Sequence, residues 1–194
     1  MLGSNPTNNY PGIDSLASIV NKRISTDHFN LLSSIPDDDE IKRTLFMIHS
    51  NKAPGPDGFN THFFKHCWPI VGLLVTKAVK EFFNTGELLR ESNSTIISLI
   101  PKIPNPSAMN EFRPISCCNT IYKCISKLIS NRLQVILPDL IGESQSAFIK
   151  GRKISDNVLL AQDLLRDYHK PSGHPRMAAK VDLMKAYDTV NWEF

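Results

Sequence analysis

The sequence predicts an α+β protein that is rich in helices and contains one β-hairpin. Three observations lead to this prediction. Apolar residues recur at helical spacing in several long segments, one short segment is apolar and β-branched, and a polar loop with three prolines separates that segment from a returning strand. Hydrophobic residues make up 41% of the chain and charged residues 21%, as is typical of a globular protein.

The N-terminal region is predicted to be a linker followed by a helix. Residues 1–30 are rich in Asn, Ser, Pro and Gly, so residues 1–35 are interpreted as a poorly ordered linker or an upstream remnant. Residues 36–194 are predicted to form the folded part. Its first helix begins at Asp37, which can cap it together with Glu40 in a pattern like a capping box. An apolar face at helical spacing is formed by Ile41, Leu45 and Ile48.

Proline and glycine mark the next boundaries. A helical region over residues 61–83 is predicted to break at Trp68-Pro69 and to stop at Gly86. The hairpin follows, with strands at residues 95–100 and 113–116.

Two further helices and a strand are predicted after the hairpin. A long amphipathic helix is expected to end before Pro138. A shorter helix runs from residue 155 or 156 to about residue 168. Residues 176–183 are predicted to be a buried strand, with Asp182 near its C-terminal end.

Composition and charge exclude some classes of protein. No apolar run is long enough to cross a bilayer, and the first residues lack the pattern of a signal peptide. The four cysteines show no Cys-x-x-Cys spacing, which favours free thiols in a reducing compartment over a zinc site. Residues 1–40 hold two basic and six acidic residues, whereas residues 41–194 hold twenty and thirteen. That excess fits a phosphate-bearing partner, but charge alone favours an ordinary solvated surface.

Asp182 is the first candidate for chemistry. A carboxylate at a strand end can offer an oxygen ligand to Mg²⁺. Phosphoryl transfer with two such ions needs more than one aspartate to hold both. From chemistry alone, an aspartate in this position is more often a cap or a salt-bridge partner.

Four segments in order resemble parts of the reverse transcriptases of LINE-type (non-LTR) retrotransposons, with plant elements the closest subgroup. Each segment is weak evidence alone, but the four together cover about residues 36–194. They are Asn-Lys-Ala-Pro-Gly-Pro-Asp-Gly (51–58), similar to the loop before the fingers; Leu-Ile-Pro-Lys (99–102) with Phe-Arg-Pro-Ile-Ser (112–116), similar to the fingers hairpin; Gln-Ser-Ala-Phe-Ile-Lys-Gly-Arg (145–152) with Asp156-Asn157, similar to the segment leading into the palm; and Asp-Leu-x-x-Ala-Tyr-Asp (182–188), similar to the first palm motif.

The resemblance implies roles for residues at the nucleotide site. Asp182 would be a ligand of both catalytic Mg²⁺ ions, and the Leu183 carbonyl a ligand of one. Tyr187 would exclude a 2′-hydroxyl by its volume, with a packed core tyrosine as the alternative. Arg113 would hold the incoming triphosphate, with Lys102 as a second cation. The alternative for Arg113 and Lys102 is a surface charge on a flexible loop.

The resemblance also implies contacts with the template or primer backbone. Gly151, Arg152 and Lys153 would make these contacts, with the glycine allowing a close approach to phosphate. Lys52 would act in a similar way. The alternative for this basic turn is ordinary solvation.

The function implied is that of an RNA-directed DNA polymerase that uses an RNA template, a DNA primer, deoxynucleoside triphosphates and Mg²⁺. No membrane is expected as a partner. The second palm motif, aromatic-x-Asp-Asp, does not occur in the 194 residues. The pair Asp38-Asp39 cannot replace it, because this pair follows Asp37 at a helix start. We therefore expect this chain to be inactive by itself. The alternatives are a non-catalytic nucleic-acid-binding module and an inert transposon relic. Reverse transcription at a chromosomal target would imply a nuclear location, but no clear basic import cluster is present.

Overall fold

The computed structural model describes residues 20, 22–166, 168, 177 and 179–181. The chain divides into two compact units, which are described separately. The larger unit is Ile24–Leu137, and the smaller unit is Met1–Arg23 with Pro138–Phe194.

The described residues confirm the predicted α+β class, since they are rich in helices and contain a two-stranded antiparallel sheet. Their elements in chain order are α1 (Thr26–Ser33), α2 (Asp38–Met47), α3 (Thr61–His66), α4 (Trp68–Thr85), α5 (Arg90–Asn93), β1 (Thr95–Pro101), a 3-10 turn (Met109–Glu111), β2 (Phe112–Cys118), α6 (Thr120–Leu140) and α7 (Ile154–Leu165).

The core of the larger unit lies among α2, α3, α4 and α6. Ile41 and Leu45 of α2 are fully buried, which confirms the predicted apolar face, whereas Ile48 follows the helix and is half-buried. Burying one such side chain contributes about 1.5–3 kcal/mol, so this cluster supplies much of the unit's stability. The buried members are Ile41, Leu45, Phe64, Val75, Val79, Cys124, Ile125 and Leu128.

Local signals in the sequence correctly place several helix ends. Asp37 caps α2, because its Oδ1 accepts a hydrogen bond from the Glu40 N–H at 2.6 Å. The predicted break at Trp68-Pro69 separates α3 from α4. Gly86 ends α4 in the left-handed conformation, with φ 73°.

Arg132 of α6 ties several elements of the larger unit together and is only 5% exposed. Its guanidinium forms a two-point ion pair with Glu40 of α2, with Nε–Oε1 at 3.0 Å and Nη2–Oε2 at 2.8 Å. Nη1 donates to the carbonyls of Ser34 and Leu32 at the end of α1, and the group lies 5.2 Å from the Phe83 ring centroid. Glu40 therefore has two contacts: its side chain pairs with an arginine 92 residues away in the sequence, and its backbone N–H donates to the capping residue Asp37.

The hairpin pairs β1 with β2 over seven residue pairs, from Thr95↔Cys118 to Pro101↔Phe112. Both predicted strands are confirmed, and each is longer than predicted. All seven residues of β1 are exposed, as are the middle four of β2. Helix α5 stands directly before β1, and α6 directly follows β2.

Three further predictions differ from the structure. Helix α1 lies within residues 1–35, where a linker was predicted; its N-cap is Ser25, whose Oγ accepts from the His28 N–H at 3.1 Å. Helix α6 continues past Pro138 to Leu140, because a proline this near the end removes only one hydrogen bond of the last turns. Helix α7 ends at Leu165, three residues short of the predicted end.

The predicted turn at residues 170–175 and half of the predicted strand at 176–183 lie outside the described residues. The prediction of a buried strand is wrong at the positions that are described, 177 and 179–181, because these residues are exposed and pair with no strand of the described part of the chain. In the part of the chain that is described, no helix is long and apolar enough to cross a membrane.

Candidate functional site

Arg113 projects from the exposed part of the hairpin. It lies opposite Ile100 in the register, and its side chain is exposed. Among the residues that the structure describes, it has no ion pair or hydrogen-bond partner for its guanidinium. An arginine with five free donors is suited to a phosphate group.

Lys102 lies across the hairpin, at the start of the loop of residues 102–111. Its backbone N–H donates to the Glu111 carbonyl at 2.7 Å, which extends the strand pairing by one step. Its Nζ donates to the Asn110 carbonyl at 2.7 Å and stays exposed. Because an ammonium has three donors, Lys102 keeps donors for another ligand.

Glu111 holds this loop closed. Its Oε2 accepts hydrogen bonds from the N–H groups of Ala108 at 3.0 Å and Ser107 at 2.5 Å. These hydrogen bonds lower the pKa of Glu111 below its ordinary 4.5, and the one from Ala108 has the larger effect. Sequence reasoning did not single out Glu111.

The loop of residues 51–58 packs closely on Asn119. Gly55 is buried, and a Cβ on it would lie 2.1 Å from Asn119 Oδ1 and 2.4 Å from the Asn119 backbone N. Gly58 has φ 76°, a conformation that favours glycine. Lys52 is exposed in this loop. The glycines are therefore required by close packing at one position and by backbone shape at the other.

Asn119 also binds residues beyond this loop. Its Oδ1 accepts from the Asp57 N–H at 3.3 Å, and its Nδ2 donates to the carbonyls of Glu91 (3.0 Å) and Ser92 (3.3 Å). Sequence reasoning missed Asn119. Its position just before a helix could have suggested a cap, but the side chain bonds to segments 62 and 28 residues away.

The basic turn at Gly151–Lys153 lies in the smaller unit. Gly151 has φ 86°, and Lys153 is exposed at the start of α7. The Arg152 guanidinium donates to four backbone carbonyls, which belong to Pro138, Ile141, Gly142 and Gln145. A contact between Arg152 and nucleic acid stays a prediction. For such a contact, phosphate would have to replace some of these hydrogen bonds.

The predicted palm residues Asp182, Leu183 and Tyr187 lie outside the described residues. Within the described ranges, no group of three or more His, Cys, Asp or Glu side chains could hold a metal ion. All four cysteines are free thiols, and burial raises the pKa of Cys124 to about 12.

Comparison with known proteins points to one family. Residues 100–194 match the reverse transcriptase (RNA-dependent DNA polymerase) family. This part of the chain is similar to reverse transcriptases. The match begins at the end of β1 and includes β2, α6, α7 and Asp182, so the hairpin arginine and the predicted palm motif both fall within the matched residues.

The chain is also similar to a transposon protein. The chain is 34% identical over 156 residues to the "Transposon TX1 uncharacterized 149 kDa protein" of Xenopus laevis. The alignment covers 80% of this chain, so it extends to residues before the reverse transcriptase match. The chain spans only 12% of the length of that relative.

Proposed function

We propose that this chain is part of an RNA-directed DNA polymerase of a LINE-type retrotransposon, similar to plant elements, and that it supplies the fingers and the first palm aspartate. The observation that carries the proposal is Arg113, an exposed arginine without a partner among the described residues, on a hairpin within the reverse transcriptase match.

Arg113 would bind the triphosphate of the incoming deoxynucleotide. Its planar, positively charged guanidinium offers paired donors that match phosphate oxygens. Lys102 would add a second positive charge from the other side of the hairpin, using the donors that Asn110 leaves free. Tyr187 would exclude a ribonucleotide by closing the pocket against a 2′-hydroxyl.

Asp182 and the Leu183 carbonyl would hold Mg²⁺. A carboxylate and a backbone carbonyl are oxygen donors of the type that this ion takes, so the donor set fits. The ion would neutralise negative charge that develops on the phosphates during nucleotidyl transfer. Arg113 would orient the triphosphate for this step.

The backbones of template RNA and primer DNA would contact the exposed Lys52 and Lys153, together with the Gly151 turn. Arg152 would hold the turn in shape through its four carbonyl bonds, and could reach phosphate only by exchanging some of them. These contacts would depend strongly on salt, because each neutralised phosphate releases counterions.

Binding and extension assays test this proposal. The 194-residue chain should bind an RNA–DNA duplex more weakly at about 200 mM salt than at about 50 mM. It should not extend the primer, because the aromatic-x-Asp-Asp motif does not occur in it. Absence of binding at the lower salt would contradict the proposal and favour an inert relic.

A second candidate is a nucleic-acid-binding module without catalysis. The excess of twenty basic over thirteen acidic residues in 41–194 favours it. A polypeptide that also carries the aromatic-x-Asp-Asp motif separates the two. Extension by that polypeptide, lost in Asp182→Ala, would support a polymerase, whereas duplex binding without extension would support the module.

A further inference from the structure

Asn119 stands at the junction of β2 and α6, and only 4% of it is exposed. Its side-chain amide uses both ends. The oxygen accepts from the N–H of Asp57 in the loop of residues 51–58, and the nitrogen donates to the carbonyls of Glu91 and Ser92 in α5. One buried side chain thus joins three separate segments of the larger unit.

These bonds clamp both strands of the hairpin at its base. Strand β2 ends at Cys118, immediately before Asn119, and β1 begins at Thr95, three residues after Ser92. The amide of Asn119 therefore holds the segment that leads into the hairpin against the segment that leaves it. The outermost pair of the ladder, Thr95↔Cys118, lies next to this clamp.

Neighbouring contacts fix the same point to the preceding loop. The Thr120 hydroxyl donates to the Phe59 carbonyl at 2.9 Å, and the Lys123 Nζ donates to the Ala53 carbonyl. Gly55 packs so closely on Asn119 that there is no room for a Cβ. The base of the hairpin is consequently a rigid contact between loop, α5 and α6.

The rest of the hairpin has little support in this unit, because β1 is exposed along its whole length and β2 at its four middle residues. Its direction is therefore set at its base. Arg113 is six residues from Asn119, or roughly 20 Å along an extended strand. A turn of about 3° at the base would move Arg113 by about 1 Å, and such a displacement can cost on the order of 10²-fold in an oriented contact.

We infer that Asn119 is a positioning residue that acts through Arg113: it fixes the direction of the hairpin so that the guanidinium meets the triphosphate. This inference rests on the function proposed above for Arg113. In this role Asn119 touches neither nucleotide nor metal. It acts only through the hydrogen bonds of its side-chain amide.

A distance measurement on the 194-residue chain tests the role. Spin labels attached through an unnatural amino acid at the exposed Ile103 of the hairpin loop and Lys77 of α4 report the direction of the hairpin. We expect one narrow distance distribution in the otherwise unchanged chain and loss of that narrow distribution in Asn119→Ala. Asn119→Asp provides a second variant if alanine prevents folding: it keeps the acceptor for Asp57 and loses both donor bonds to α5.

Asn60→Ala is the matched control. Asn60 caps α3 by accepting from the Phe63 N–H at 3.1 Å, so its loss weakens the same unit without touching the hairpin. The control should keep the narrow distribution. A narrow distribution in a folded Asn119 variant, or equal broadening in Asn60→Ala, would overturn the positioning role.

Nucleotide binding separates this inference from the proposed function. With Mg²⁺, dGTP and an RNA–DNA duplex that codes for it, Asn119→Ala should weaken dGTP binding, and the loss should largely vanish in an Arg113→Ala background. An equal loss in both backgrounds would overturn the positioning role alone. If Arg113→Ala itself has no effect on dGTP binding, the proposed function fails, whatever the distance measurement shows about the hairpin.

Discussion

Gly55 and Asn119 lie so close together that a Cβ on Gly55 would be 2.1 Å from the Asn119 side-chain oxygen and 2.4 Å from its backbone nitrogen. Neither obstacle is the end of a flexible side chain, since the Asn119 amide is itself held by Asp57, Glu91 and Ser92. The loop and the hairpin base can therefore keep this arrangement only with glycine at position 55.

Gly55→Ala should lower the free energy of unfolding by about 3 kcal/mol or more, because backbone atoms would have to move to relieve the overlap. Chemical denaturation followed by circular dichroism measures this change. Gly58→Ala is the control: it adds a Cβ in open space at φ 76° and should cost only about 1–2 kcal/mol. Equal losses for the two variants would contradict the close packing.

The pair formed by Arg132 and Glu40 should be the more important of two ion pairs on α2. Arg132 is 5% exposed and makes two hydrogen bonds to the carboxylate. Arg132→Ala should destabilise the chain by about 3–5 kcal/mol, since it also leaves Glu40 and the end of α1 without their partner.

Lys80→Ala is the matched comparison for Arg132→Ala. Lys80 of α4 forms an exposed ion pair with Asp38, which lies on α2 as Glu40 does. Its loss should cost less than about 1 kcal/mol. The same denaturation experiment measures both variants. A Lys80 variant that is as unstable as the Arg132 variant would show that the pair of Arg132 and Glu40 has no special role.

The hairpin loop should loosen in acid. The folded-state pKa of Glu111 is lowered by the N–H groups of Ala108 and Ser107, so its contribution to loop stability is fully present above its ordinary pKa of 4.5. That contribution is lost as the pH falls through the lower folded-state pKa. Amide hydrogen exchange at Ser107 and Ala108, corrected for its intrinsic pH dependence, should show protection falling in this range.

Glu111→Gln provides the control for the acid effect. Without an ionisable group at this position, the protection of the two amides should be weaker and should not change through the same pH range. A matching acid transition in that variant would assign the effect to another group.

Cys124 should be the least reactive of the four thiols. Burial raises its pKa to about 12, so at pH 8 almost none of it is the reactive thiolate. The other three cysteines are half-buried. Brief treatment with iodoacetamide followed by peptide mass spectrometry should show modification of Cys67, Cys117 or Cys118 before Cys124; early labelling of Cys124 would contradict its burial.

Local chemistry made much of the fold predictable from the sequence. Asp37 caps α2 through a residue three positions away, and Gly86 stops α4 through its own backbone conformation. The β-branched stretch at residues 95–100 and the returning strand were found for the same reason. The helix at Thr26–Ser33 was missed because a short segment rich in polar residues shows too little periodicity.

Long-range contacts were not predictable in this way. Arg132 meets Glu40 across 92 residues, and Asn119 meets Asp57 across 62. Nothing near either residue in the sequence specifies its partner, which depends on how the helices and loops pack. The candidate site shows the same division: the strand that carries Arg113 was predicted, but the clamp at the base of the hairpin was not.

Nucleotide binding tests whether Arg113 holds the triphosphate. The dissociation constant of dGTP should be measured with Mg²⁺ and a coding RNA–DNA duplex for the 194-residue chain, Arg113→Ala and Arg43→Ala. Arg43 is an exposed arginine on α2, so its variant removes the same charge away from the hairpin and its base. We expect Arg113→Ala to weaken binding about tenfold or more, since it removes charged hydrogen bonds to phosphate, and Arg43→Ala to bind like the unchanged chain. No dGTP binding by the unchanged chain, or equal binding by the two variants, would contradict the assignment of Arg113 to the triphosphate.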